Sequence, residues 1–206
     1  MRRFSPRILL AAVSAALAAV LLIAGGLALW GSAYVHNTVQ GQLASQQIFF
    51  PPASAFAHAK AGTEITPSMI PSVSQYAGQQ MLTGQQAEAY ADHFIAVHIQ
   101  NMGAGKTYSQ LSAESLAQPN NTQLATTVNT VFKGETLRSM LLNAYGWWKV
   151  SQIVYIVSLA LFGLGTLFGL AAAYLLAFGL ATGRKTRPAA VTLQPGIETI
   201  TPAKTA

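Results

Sequence analysis

Residues 8–30 read ILLAAVSAALAAVLLIAGGLALW, without a single charge. As an α-helix rising about 1.5 Å per residue, a run of this length crosses a hydrocarbon core of about 30 Å. A second uncharged run, residues 150–180, reads VSQIVYIVSLALFGLGTLFGLAAAYLLAFGL. It is longer than one crossing needs, so it is expected to tilt or to leave its first turn in the interface.

The charges decide the orientation these runs would take. The chain has 12 Lys and Arg against 6 Asp and Glu, and the whole excess lies outside the two runs. Arg2, Arg3 and Arg7 precede the first run with no acid, and Arg184, Lys185, Arg187 and Lys204 follow the second against Glu198 alone. Between the runs, Lys60, Lys106, Lys133, Arg138 and Lys149 are balanced by Glu64, Glu88, Asp92, Glu114 and Glu135. Lysine and arginine are retained on the cytoplasmic side during insertion, which predicts both termini inside and the neutral middle outside. Interfacial aromatics agree: Trp30 and Tyr34 close the first run, and Tyr145, Trp147 and Trp148 open the second, all at the outer face.

The expected fold is therefore an all-α plasma-membrane protein with two transmembrane helices and a small helical extracytoplasmic domain between them. Residues 1–7 form a basic cytoplasmic tail, 8–30 the first span, 31–149 the external domain, 150–182 the second span and 183–206 a disordered cytoplasmic tail. The alternative for the first run is a cleaved signal peptide, with Gly31, Ser32 and Ala33 as small residues and Arg2-Arg3 as a faint twin-arginine signal. Its apolar region exceeds the usual ~7–15 residues of a signal, which favours an anchor. The absence of cysteine excludes disulfides, thiolate metal sites and cysteine nucleophiles. Because the basic excess flanks the spans, membrane topology accounts for it and no nucleic-acid partner is expected.

Beyond Trp30 the helical period continues through Tyr34, Val35, Val39 and Leu43, so the first helix should protrude from the bilayer. Pro51 and Pro52 end that stretch, because proline lacks an amide donor and constrains the residue before it. Residues 51–78, rich in Ala, Ser, Pro and Thr, read as an extended connector. Thr83 with Gln86 forms a capping box, after which Ala87, Tyr90, Ala91, Phe94 and Val97 or His98 make one apolar stripe. Gly103 and Gly105 stop this helix, and a shorter one follows around residues 111–117. Leu124, Val128, Val131 and Phe132 mark another, interrupted at Gly134. Leu137, Met140, Leu141, Ala144 and Trp148 then run at helical spacing into the second span. Val35, Val39 and Leu43 are expected to pack on Leu137, Leu141 and Ala144 as an antiparallel stalk.

Several constellations invite chemistry. Met102-Gly103-Ala104-Gly105-Lys106-Thr107 looks like the end of a phosphate-binding loop, but Gln100 stands where the first glycine is needed and a helix precedes it instead of a strand. A helix stop followed by an N-cap at Thr107 is the simpler reading. His93 and His98 with Glu88 and Asp92 suggest a metal site, yet residues five apart lie about 140° apart around a helix, and no H-E-x-x-H spacing occurs. Glu135 and Arg138 make a helix-surface ion pair or a larger one with the acids of the Thr83 helix. No serine sits in a nucleophile elbow. Within the spans, Gly165, Gly169, Ala173 and Ala177 form one small-residue strip and Ala11, Ala15 and Ala19 another, suited to close packing within the chain or on a partner. Neither span carries an ionisable residue, which argues against an ion or proton pathway.

The segments Tyr76-Ala77-Gly78-Gln79-Gln80, Gly84-Gln85-Gln86-Ala87-Glu88-Ala89-Tyr90-Ala91, Gly105-Lys106-Thr107-Tyr108, Gly134-Glu135-Thr136-Leu137-Arg138 and Leu142-Asn143-Ala144-Tyr145-Gly146-Trp147-Trp148 carry a resemblance across residues 35–153. The chain resembles the uncharacterised two-span membrane proteins of actinobacteria. Members often bear the label of an aromatic ring-opening dioxygenase, but such enzymes hold iron through histidines and a carboxylate, and no matching ligand motif is present. What the resemblance implies is a plasma-membrane protein.

The expected function is that of a non-enzymatic accessory or scaffolding subunit of a cell-envelope assembly, without metal or cofactor. Its partners would be the lipid bilayer and either another membrane protein or further copies of itself. The competing expectation is a metal-dependent envelope enzyme built on His93, His98, Glu88 and Asp92. A sensor of envelope ligands is a third, for which the C-terminal tail offers no evident output.

Overall fold

The computed structural model describes residues 6–184, with side chains described through residue 178. The outer parts of the two basic tails therefore lie outside the described residues. Ten helical segments and no named strand occur among the described residues. Helix α1 spans Pro6–Ser45 and α7 spans Thr122–Arg184, and both are long and apolar enough to cross a membrane. Each continues past its apolar run: residues 31–45 add about 20 Å to α1, and residues 122–149 add about 40 Å to α7. The stretch of α7 before the second run is unbroken, so Gly134 does not interrupt it. A Cβ on Gly134 would stand 2.8 Å from Ile99 Cγ1, so the glycine marks a close approach of another helix.

The chain divides into two compact units. One combines the beginning of α1, through Ala19, with α7 from Gly165 onward; the other is Val20–Leu164. In the first unit Ala11, Ser14, Ala18, Gly165 and Ala172 are buried, and the position of a Gly169 Cβ would lie 3.9 Å from Ala18 Cβ. The Arg7 guanidinium sits 5.4 Å from the centre of the Phe178 ring, a cation–π contact at the helix ends.

In the second unit α1 and α7 again run antiparallel. The Ser32 hydroxyl donates to the Ser151 carbonyl at 2.7 Å, and a Cβ on Gly25 would touch Leu161 and Phe162 at 3.3 Å. The Ser151 and Ser158 hydroxyls donate to the carbonyls of Trp148 and Tyr155, one turn back on their own helix. These small side chains are thus buried with their polar atoms satisfied, as an apolar medium requires. Val39, Leu43, Leu141 and Trp148 join the same core further along, with Val35 and Ala144 packed at its edge. The expected stalk is present, although Leu137 remains exposed at its side.

The segment between the helices forms a helical cap. Residues 51–78 are not an extended connector: they fold into α2 (Ala53–Ala57), a 3-10 turn (Pro67–Met69), α3 (Ile70–Val73) and a second 3-10 turn (Ser74–Tyr76). Phe56, Ile65, Met69 and Val73 bury their side chains from these short turns, so tertiary contact holds what local propensity would not. The excursion closes on itself through an isolated antiparallel bridge between Phe49 and Gln80, with Phe50 N–H donating to the Gln79 carbonyl and Met81 N–H to that of Ile48.

Helix α4 (Gly84–Tyr90), a π-helical turn (Ala91–Ile95) and α5 (Ala96–Met102) follow in one continuous stretch. Its start carries the expected capping box of Thr83 and Gln86. Helix α6 (Tyr108–Ala117) begins with a second box, Thr107 with Gln110. A line of rings, Tyr76, Phe50, Tyr90, Phe94 and His98, runs through the cap with successive centroids 4.5 to 5.4 Å apart. Burial, and secondarily Glu64, pushes the Tyr90 phenol above its ordinary pKa.

Candidate functional site

The structure orders the small residues of the two helices differently from the four-residue strips seen in the sequence. Ala11, Ala18, Gly165 and Ala172 are buried and Gly169 half-buried, whereas Ala15, Ala19, Ala173 and Ala177 are exposed. Burial along α1 recurs at Ala11, Ala18, Gly25, Ser32 and Val39, and along α7 at Ser151, Ser158, Gly165 and Ala172, seven residues at a time. Four residues turn a helix by about 400° and drift forward by about 40° per step, whereas seven drift back by only about 20°. Antiparallel contact within each unit therefore selects the heptad positions.

The aromatics expected as interface anchors separate into two kinds. Trp30 is 69 % exposed and stacks on exposed Tyr34 with centroids 5.8 Å apart, while Trp147 is 54 % exposed. Lys149 lies over the half-buried Tyr145 ring. Trp148, expected beside Trp147 at a surface, is instead only 5 % exposed. Adjacent helical residues point about 100° apart, and this rotation turns Trp148 inward. There it meets the His36 ring at 3.9 Å on one side and Gly84 on the other, where any Cβ would fall 2.4 Å from its own Cβ. Its indole N–H is buried without a hydrogen-bond partner.

The candidate chemical groups do not converge. Asp92, on the π-helical turn, accepts from Arg138 at 2.7 and 3.2 Å, and Glu135 lies 3.6 Å from the same guanidinium. The bond to Asp92 chiefly raises the Arg138 pKa. This partly exposed network is worth at most about 1 kcal/mol. The His98 ring nitrogen Nδ1 lies 2.7 Å from the Phe94 carbonyl, and His93 is exposed. Among the described residues no group of three or more His, Asp or Glu is placed to hold a metal ion. At the glycine-rich turn, the Gly103 and Gly105 amides donate to the Ile99 and Gln100 carbonyls, and Lys106 pairs with Glu114 at 2.7 Å. Those amides finish a helix and do not face an anion.

What the structure does present is surface. Phe132, Met140 and Trp147, spaced to share one face of α7, are 50, 65 and 54 % exposed. Tyr108 packs on Phe132 at 5.4 Å. Three shallow grooves follow this face in series: about 330 Å³ beside Tyr108 and Phe132, about 370 Å³ between Phe132 and Met140, and about 300 Å³ from Met140 and Trp147 across to Tyr34 and Thr38 of α1. From sequence alone, Phe132 and Met140 fall on separate apolar stripes and Trp147 at the interface, because the sequence offers no means to tell an outward face from the inward one. A separate groove of about 510 Å³ lies between Leu29–Asn37 and Ser151–Ile156. It had no signal in the sequence, since it depends on which residues of the two helices come opposite one another.

The chain is thus an all-helical protein with two helices long and apolar enough to cross a membrane and an exposed aromatic face on the longer one. Comparisons with protein-family models, with curated proteins and with solved structures find no match to it.

Proposed function

We propose that this protein is an integral plasma-membrane subunit without catalytic chemistry of its own, which scaffolds or assists a cell-envelope assembly through the exposed face of α7. In this reading residues 8–30 and 150–182 span the bilayer, both termini are cytoplasmic and the cap is extracytoplasmic. The basic ends and neutral middle support that orientation. The observation that carries the function is the strip of Phe132, Met140 and Trp147, together with the grooves alongside it. Large exposed aromatic and methionine side chains in a row are the composition of a protein-contact surface, and surface of this kind is costly to leave in water.

Helices that extend beyond their apolar runs suit this role, because they hold the strip at a fixed height above the bilayer. The test is purification of the full chain in mild detergent from its native membrane, with quantitative mass spectrometry. A stoichiometric companion, or a second copy of the chain, should be present and should be lost on Met140→Glu with the helix content unchanged. A monomer alone, or a companion indifferent to Met140→Glu, would refute the proposal. A tag inserted at Gly62, an exposed turn, reports the side of the membrane independently.

A further inference from the structure

We infer that the groove between Leu29–Asn37 of α1 and Ser151–Ile156 of α7 binds a membrane quinone, with its ring among His36, Asn37, Gln152 and Tyr155 and its tail leaving past Leu29 and Ile156. The inference rests on the membrane reading above, because only a bilayer delivers such a ligand to this position. The groove holds about 510 Å³, within the ~300–1,000 Å³ typical of small-molecule sites.

The antiparallel pairing grades the groove from end to end. Leu29 of α1 and Ile156 of α7 form its apolar end, at the apolar runs of both helices, and Tyr155 brings a phenol between that end and Gln152. His36, Asn37 and Gln152 lie toward the cap and form its polar end. Small residues, Ser32, Ala33 and Ser151, leave the space between. The two serine hydroxyls already donate to backbone carbonyls, so the floor needs no ligand. The side chains of Asn37, Gln152 and Tyr155 make no hydrogen bond within the described residues, and His36 contributes only its ring contact with Trp148. Four groups able to donate thus surround an apolar slot at the depth where hydrocarbon meets headgroups.

Charge selects among lipids. No Lys, Arg, Asp or Glu lines the groove, and the neighbouring Lys149 ammonium is placed over the Tyr145 ring. A phosphate head would find no cation in the groove to pair with. An uncharged head with carbonyl acceptors matches the available donors.

The test uses the full chain in nanodiscs with Trp30→Phe and Trp147→Phe, which leaves Trp148 as the only one of three tryptophans. Its indole stands directly behind His36, so a quinone in the groove quenches its fluorescence. Titration with a short-tailed isoprenoid naphthoquinone should give saturable quenching with a Kd at or below about 10 µM, and dioleoylglycerol or phosphatidylglycerol should not relieve it. Ala33→Phe, which fills the slot, should weaken binding at least about tenfold. Asn37→Leu with Gln152→Leu, which removes donors without adding bulk, should do the same, so the test stands even where Ala33→Phe fails to fold. Quenching that rises linearly, is indifferent to both variants, or is relieved equally by diacylglycerol overturns the proposal. Carbonate extraction of native membranes separates the two readings: release of the protein sinks the membrane assignment itself, whereas retention with linear quenching sinks only the quinone site.

Discussion

Between Val20 and Leu164, α1 and α7 touch through glycine and serine for much of their length, whereas residues 49–117 hold themselves with rings, methionines and helix caps. The first kind of contact spreads its stabilisation over many small, similar contacts, each satisfied locally: Ser151 and Ser158 bond to their own helix, and Gly25 lets Leu161 and Phe162 approach. The second concentrates it in a few large side chains, such as Met69, Met81 and Val73, which have no exposed surface. The helices can therefore lose single contacts cheaply, and the cap cannot.

The largest effect should come from Met81→Ala, which leaves a cavity at the centre of the cap and should cost about 3 kcal/mol. Urea unfolding of the full chain in detergent, followed by limited proteolysis, should show residues 49–117 becoming cleavable while α1 and α7 stay helical. Simultaneous loss of both regions would abolish the contrast. Next is Gly84→Ala: the new Cβ would overlap Trp148 Cβ, which cannot swing aside, and about 2 kcal/mol should be lost with a change in Trp148 emission. Thr83→Ala removes the acceptor for the Gln86 amide and half of the box, at about 1 kcal/mol in the same unfolding assay.

Against these, Ser158→Ala should cost only about 0.5 kcal/mol despite complete burial, because its hydroxyl serves its own helix. A loss above about 2 kcal/mol would show that the paired helices also depend on individual residues. The smallest effect is Tyr90→Phe at neutral pH, where the phenol is protonated and makes no hydrogen bond. Its raised pKa means that the folded state keeps the proton longer than the unfolded one, so stability is intact below the ordinary value of about 10 and falls as pH rises through the folded value. The Tyr90→Phe substitution should remove that alkaline decline, measured as melting temperature against pH.

The same contrast explains how much could be read from the residues alone. Long uncharged runs and two-residue caps are local signals, and 8–30, 150–180 and the Thr83–Gln86 box emerged as helices and a box. The short turns at 53–57 and 67–76 had no such signal, because Phe56, Met69 and Val73 are held by neighbours distant in sequence. Gly134 looked like a break when its purpose is room for Ile99. Trp148 looked like the twin of Trp147, and only the angle between adjacent helical positions distinguishes an outward indole from one enclosed by His36 and Gly84. For the candidate sites, the pairing of Arg138 with Glu135 and an acid of the Thr83 helix was visible, but the choice of Asp92 over Glu88 and the contact of His98 with the Phe94 carbonyl were not.

One bond marks the register at which the two long helices meet. The Ser32 hydroxyl reaches across to the Ser151 carbonyl from a buried position, at a point where both backbones come close. Sliding either helix by one turn, about 5.4 Å, would break that bond and leave the Ser32 hydroxyl to turn back onto its own helix, as Ser151 and Ser158 already do. A change in the offset of the two helices between Val20 and Leu164 would therefore register first as the loss of this one cross-helix bond.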